Sequence, residues 1–388
     1  MVSPIGNNVA ENRLSLLNSE CGIRLVKSFP SKHAETLPFG VVDASNDVLK
    51  QELKLLEDPS VTRTTILAVK AIREAIDDAG LSSSILNAST TALIGASTVG
   101  GMCMTDALYY DANNNNQQSP FLSSYDCAAT FLFIQKYFGI KGIVNTINTA
   151  CSSSANAIMY GAKLLKTGLA NKAIVGGADA LSKFTINGFN ALHILSSELC
   201  KPFDQDRNGL NLGEGAAFLV LEKEEDINNK KTYAEVSGYG NTTDAYHASS
   251  ISDNGEGPYQ AMKAALTSAH INAGSINYIN AHGTATENND VTESQAMLRV
   301  FEGNVPAFSS TKSFTGHTLG AAGAIEAVYS LLSICHQEVY PNLRFEQPIN
   351  DSGLMPLVAY KRMNIEHAMS NSFGFGGNCT SLIFSKVS

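Results

Sequence analysis

The sequence has no long apolar run. No stretch approaches the roughly 20 uninterrupted apolar residues of a membrane-spanning helix, so no membrane span is expected. The amino end, MVSPIGNNVAENR, has neither the basic segment nor the apolar core of a secretion signal, and the expected location is the cytoplasm. Positive charge is also scarce. With 27 Lys and Arg against 36 Asp and Glu, the formal net charge is −9, and the clustered basic residues that neutralise phosphate are missing. This argues against nucleic acid as a partner, and an acidic partner must meet a local basic patch. The seven cysteines form no CxxC pair and show no Cys/His spacing typical of zinc, so neither a disulfide framework nor a metal site is expected. The open question is whether one of them is a nucleophile.

What is present is a chain of 388 residues, 44% hydrophobic and 16% charged, long enough for two or three domain-sized units. Strand-like segments alternate with helical ones. ALIGAST (92–98), VNTINTA (144–150), KAIVGGA (172–178) and AAFLVLE (216–222) read as buried strands. Ile66, Val69, Ile72 and Ile76 fall on one face of a helix that Gly80 ends, and a second helix runs through SSSANAIMYGAKLLKTG to Gly168. After the charged, turn-rich stretch 222–231 the rhythm resumes, with strands in AEVSGYG, INYINAH, VPAFSST and SLIFSK and helices near 258–269, 289–301 and 323–336. Two α/β halves, 1–225 and 226–388, are the natural division. The asparagine-rich stretch 113–118 reads as a surface loop.

Cys151 lies where the strand reading stops and the helix reading starts, which places its thiol at a helix amino terminus. The unpaired N–H groups and positive dipole there are expected to lower the thiol pKa. A lone cysteine is more often a buried core residue, but the elbow reverses those odds. Two histidines have similar surroundings, His282 in NAHGTATENND and His317 in STKSFTGHTLGAAGAIEA. Either one alone could be structural; together with Cys151 they make a catalytic set. Two neutral imidazoles can donate N–H bonds to an enolate oxygen formed by decarboxylation of a malonyl thioester. The resulting carbanion can then attack an acyl group held on the cysteine.

The blocks TACSSS, PFDQDRNGLNLGEGA, AHGTATENND, STKSFTGHTLGAAGAIE and NSFGFGG resemble, in order, the signatures of the elongating (KAS I/II-like) β-ketoacyl-acyl-carrier-protein synthases of the thiolase superfamily. The resemblance covers nearly the whole chain. It implies the thiolase-like α/β fold, two similar βαβαβαββ halves in a five-layer αβαβα arrangement, with the nucleophile in the first half and the histidines in the second. It also implies a 3-oxoacyl-[acyl-carrier-protein] synthase, an acyltransferase that uses acyl and malonyl thioesters of acyl carrier protein in fatty acid or related polyketide or aryl-polyene biosynthesis. By the same resemblance, Cys151 is the acylated nucleophile, His282 and His317 hold the enolate, Lys312 supports the histidines and Glu326 orders the network. Thr284 and Thr286 match residues that bind pantetheine, and Asp290 and Glu293 match acidic structural positions. Phe375 matches a gating phenylalanine whose N–H, with that of Cys151, forms the oxyanion hole. A homodimer is implied, or a heterodimer with a chain-length factor; no cofactor is implied.

Two departures from the pattern stand out. The family opens with a strand before the segment matching Val2–Gly6, so an inner strand of the first sheet is expected to be missing. Asn378 and Cys379 follow GFGG where the family has Thr-Asn, which bears on the bonding that steadies the gate. The segments CMTDALYYDANNNNQQ and KFTINGFNALHIL lean towards specialised pathways. A thiolase would use Cys-His-Cys, and Cys379 is where a second cysteine would be sought. Arg63, Lys70 and Lys201 are the candidates for docking an acidic carrier protein.

Overall fold

The computed structural model describes every residue except 28, 56, 57, 59, 60, 116–118, 228, 229 and 388. The expected apolar face forms helix α1, Arg63–Asp78, with Ile66, Val69 and Ile72 fully buried. Burying each such side chain contributes about 1.5–3 kcal/mol. Thr62 caps the helix by accepting the Thr65 N–H, and Gly80 supplies the left-handed turn beyond its end at φ +62°.

The first half continues with β1 (Thr91–Ala96), α2 (Cys127–Phe138), β2 (Val144–Ile147), α3 (Ser153–Lys166), β3 (Lys172–Asp179), α4 (Lys183–Ala191) and β4 (Gly215–Glu222). The second half runs β5 (Glu235–Thr243), α5 (Glu256–Ala269), β6 (Tyr278–Asn280), α6 (Glu287–Val300), β7 (Ala307–Ser309), α7 (Ala322–His336), β8 (His367–Phe373) and β9 (Asn378–Ser385). The first sheet has the order β2-β1-β3-β4, and the second has β7-β6-β8-β9-β5. In each, three parallel strands meet an antiparallel neighbour, with Gly176 opposite Phe218 in one and Ser370 opposite Leu382 in the other.

Helices α3 and α7 lie between the sheets, α1 and α2 cover the outer face of the first, and α5 with α6 covers the second. These are the five layers expected. Small residues let the central helices approach: a Cβ on Gly323 would stand 2.8 Å from the Ala155 nitrogen. One segment, Leu319–His336, is long and apolar enough to cross a membrane, with mean hydropathy 1.3, but 89% of it is buried as this central layer.

Superposing the strand orders matches β1–β4 to β6–β9 and leaves β5 without a counterpart in the first sheet. Its equivalent position is the outer edge of β4, where Val2 forms an isolated bridge to Ala216, beside a cleft of about 1290 Å³. The unmatched position is thus at an edge, not inside the sheet. The asparagine-rich stretch also differs from expectation. Asn113 and Asn114 end a helix, Thr105–Asn114, their side chains donating to the carbonyls of Tyr109 and Tyr110. Residues 116–118 of that stretch, and 228 and 229 of the turn-rich connection, lie outside the described residues.

Candidate active site

Cys151 occupies the turn between β2 and α3, as its sequence setting predicts. Ala150, just before it, is held at φ +54°, a left-handed conformation that costs a residue with a Cβ about 1–2 kcal/mol. The N–H and hydroxyl of Ser153 both donate to the Ala150 carbonyl and hold that turn. The expected lowering of the thiol pKa is not met. Cys151 is only 6% exposed, and burial pushes the thiol up to about 11, outweighing Lys312 and a hydrogen bond from the Phe375 N–H. Desolvation of the thiolate exceeds what the helix terminus supplies.

His282 follows β6 and His317 follows the short turn after β7; their rings lie 5.4 Å apart at 85°. The Lys312 Nζ is 3.2 Å from Nδ1 of His282 and donates to the His282 carbonyl at 2.6 Å. An ammonium group only donates, so Nδ1 accepts and the ring proton sits on Nε2. The Leu319 N–H, presented by a residue at φ +53°, donates to Nδ1 of His317 at 3.3 Å and fixes the same tautomer. Nε2 of His317 is buried without a partner among the described residues. An orphaned buried donor costs free energy and marks where a ligand oxygen fits. Burial, then Lys312, holds both imidazoles well below the usual histidine pKa, with His317 adding to the effect on His282. Both are neutral at pH 7.

Lys312 and Glu326 are each 2% exposed and form an ion pair behind the histidines, so neither is the solvated surface residue its sequence setting allowed. Burial pushes Glu326 up to about 7 against the pull of Lys312. Asp290 and Glu293 hold the backbone: Asp290 accepts the N–H groups of Phe203, Thr284 and Ala285, and Glu293 those of His282 and Gly283 at 2.9 and 2.8 Å. Cys151, His282, His317, Thr284, Thr286 and Phe375 all line one cavity of about 380 Å³. The two threonine hydroxyls are 2.9 Å apart on its wall. The Phe375 ring stacks on Phe189 at 5.8 Å and 22°.

Three candidates are not where the sequence put them. The guanidinium of Arg63 is spent on Glu214, on the carbonyls of Val42 and Ala44 and on Asn46, which takes it from docking, and the Lys70 ammonium pairs with the half-exposed Glu52. Cys379 packs beside Ile251, Ala261 and Phe373 and is not among the residues lining the cavity, which removes the thiolase-like second cysteine. Sequence reasoning also missed Asp179. Its carboxylate accepts from Ser97, Thr98, Val99 and, at 2.7 Å, from the N–H of Gly320, tying the end of β1 to the loop of His317. A charge ending the apolar run KAIVGGA was the available signal.

The beta-ketoacyl synthase N-terminal domain model matches residues 1–227 and the C-terminal domain model residues 233–346. The 3-oxoacyl-[acyl-carrier-protein] synthase 2 of Vibrio cholerae is 34% identical over 406 residues, covering 100% of this chain and 97% of the relative. Among solved structures, the ishigamide ketosynthase/chain length factor has a TM-score of 0.93 at 27% identity, covering 100% of this chain and 97% of that one. A ketosynthase (ApeO) in complex with its chain length factor (ApeC) from Xenorhabdus doucetiae has a TM-score of 0.86 at 32% identity, covering 100% and 96%.

Proposed function

The chain belongs to the beta-ketoacyl synthase family, and from that premise we propose that Cys151, His282 and His317 carry out its acyl transfer and decarboxylative condensation. It is an acyltransferase of the 3-oxoacyl-[acyl-carrier-protein] synthase kind. Its nucleophile lies in the half ending near residue 225 and its histidines in the half that follows.

In the first step the Cys151 sulfur attacks the carbonyl of an acyl thioester. The oxyanion is held by the N–H groups of Cys151 and Phe375, and the pantetheine thiol departs with the thiol proton. Proton loss accompanies the transfer, because burial disfavours a resting thiolate. In the second step the Nε2–H groups of His282 and His317 hold the carbonyl oxygen of the malonyl thioester. The electron pair of the breaking C–CO₂ bond passes into the enolate, whose carbon attacks the acyl-Cys151 carbonyl. Collapse of that adduct expels the Cys151 sulfur and leaves a 3-oxoacyl thioester two carbons longer. Thr284 and Thr286 hold the pantetheine arm, while Lys312 and Glu326 keep the imidazoles oriented.

The observation that carries this reading is the buried, unpartnered Nε2 of His317 in the cavity that also holds Cys151 and His282. Acyl carrier protein is the partner, a homodimer is the expected assembly and the cytoplasm the expected location. A second reading, the active half of a heterodimer with a chain-length factor, is favoured by the likeness to ketosynthase and chain-length-factor structures. Incubation with acyl- and malonyl-carrier proteins tests the function: a two-carbon-longer 3-oxo product that disappears with Cys151→Ala is expected, and product formation by that variant overturns it. Activity gained only on co-purification with a second subunit selects the heterodimer.

A further inference from the structure

We propose that Asn378 is a positioning residue for the oxyanion hole, anchoring the base of the hairpin tip 374–378 so that the Phe375 N–H rests on Cys151. The inference rests on the role given above to Phe375. Strands β8 and β9 pair as far as Phe373 opposite Cys379, and the tip closes through Gly374 N–H to the Asn378 carbonyl at 2.8 Å and Gly377 N–H to the Gly374 carbonyl at 3.0 Å. Gly376 and Gly377 take φ of +84° and +81°, conformations that glycine adopts at little cost, and the tip is also held from the side by the Gly376 N–H on the Ala248 carbonyl and the Asp244 N–H on the Gly377 carbonyl, both at 2.8 Å.

Asn378 is built to stay. Its Oδ1 accepts from the Ser152 hydroxyl at 2.7 Å and the Asn156 amide at 2.8 Å, both at the start of the helix that follows Cys151. It also accepts from the Asn241 amide of β5 at 2.9 Å. One side chain thus ties the gate to the nucleophile's helix and to the edge of the second sheet. Each donor has a second acceptor: Ser152 has the Thr149 carbonyl, Asn156 the Thr149 hydroxyl, and Asn241 the Thr380 hydroxyl. Removing the Asn378 side chain therefore strands no donor; it severs the connection while the fold keeps its bonding.

The consequence differs between half-reactions. Acyl transfer onto Cys151 passes through an oxyanion facing the Phe375 N–H, whereas malonyl decarboxylation at the two imidazoles does not use that N–H. Acyl loading is measured by intact mass with carrier protein bearing hexanoyl, octanoyl or decanoyl groups, and decarboxylation by CO₂ release from malonyl-carrier protein. Both are combined with thermal melting for wild type, Asn378→Ala, Asn378→Asp and Phe375→Pro. Asn378→Ala should slow loading about tenfold with decarboxylation and melting unchanged, and Asn378→Asp, which keeps the acceptor oxygen, should restore it. Phe375→Pro, which lacks the N–H, should slow loading by about 10²–10³-fold. Wild-type loading by Phe375→Pro would overturn the role of Phe375. Slow Phe375→Pro beside wild-type loading by Asn378→Ala would overturn this inference alone, as would equal losses of both activities in Asn378→Ala or failure of Asn378→Asp to restore loading.

Discussion

On the proposed mechanism, replacing His317 with alanine removes one of the two N–H donors that hold the enolate oxygen and none of those that face the Cys151 oxyanion. The Leu319 N–H occupies Nδ1, so the ring atom open to a ligand is the Nε2–H, which has no partner among the described residues, and alanine removes it together with the acceptor of the Leu319 N–H. Burial and Lys312 keep the ring neutral, so no positive charge is lost with it. Loss of one preorganised oxyanion donor costs about 2.7–4 kcal/mol, or about 10²–10³ in rate. Decarboxylation of malonyl-carrier protein, followed by CO₂ release, should fall by that factor. Acyl loading of Cys151, followed by intact mass, should continue, because its oxyanion faces the N–H groups of Cys151 and Phe375 instead. A variant that decarboxylates at the wild-type rate, or loses loading and decarboxylation equally, would refute the division of labour between the two sites.

Arg63→Ala should leave the 1%-exposed Glu214 as an unpaired buried charge and cost about 3–5 kcal/mol in urea unfolding; a carrier-protein KM effect without loss of stability would contradict the pairing. Glu293 is pushed up to about 7 from 4.5 by burial, so the folded protein holds a proton that the unfolded chain releases between those values. The Glu293 contribution to stability should therefore be lost as pH rises from about 4.5 to about 7, against an opposite contribution from the buried neutral His282 and His317, and Glu293→Gln should remove that loss from pH-dependent denaturation curves. Lys201 forms no ion pair among the described residues and remains available at the surface. Lys201→Glu should raise the apparent KM for carrier-bound substrate and spare small thioester analogues; equal effects on both would remove it from docking.

Periodicity made most of the fold legible. Apolar or β-branched runs located eight of the nine strands in the two main sheets, most clearly β1, β3 and β4, which are covered by helices on both faces, while β2 and the edge strand β5 are only partly buried. The exception is β8, whose centre is Ser370, Asn371 and Ser372. These residues are fully buried, and Asn371 donates to Glu293 and accepts from Ser381, so the strand is held partly by polar bonding that no hydrophobic pattern reveals. In the site, the elbow and the Gly-flanked histidines were legible because strained turns need small neighbours: Ala150, Ala285 and Leu319 all have positive φ within three residues of Cys151, His282 or His317. The thiol pKa was not legible, since it depends on burial by segments distant in sequence. The pairing of Arg63 with Glu214, 151 positions away, was hidden for the same reason.

The most direct test of the account is intact mass after incubation with a panel of acyl-carrier proteins, comparing wild type with Cys151→Ala, followed by addition of malonyl-carrier protein. The account predicts an acyl adduct that requires Cys151 and is discharged as a 3-oxo product two carbons longer. An adduct on the Cys151→Ala variant, or a Cys151 adduct that malonyl-carrier protein leaves in place, would contradict it.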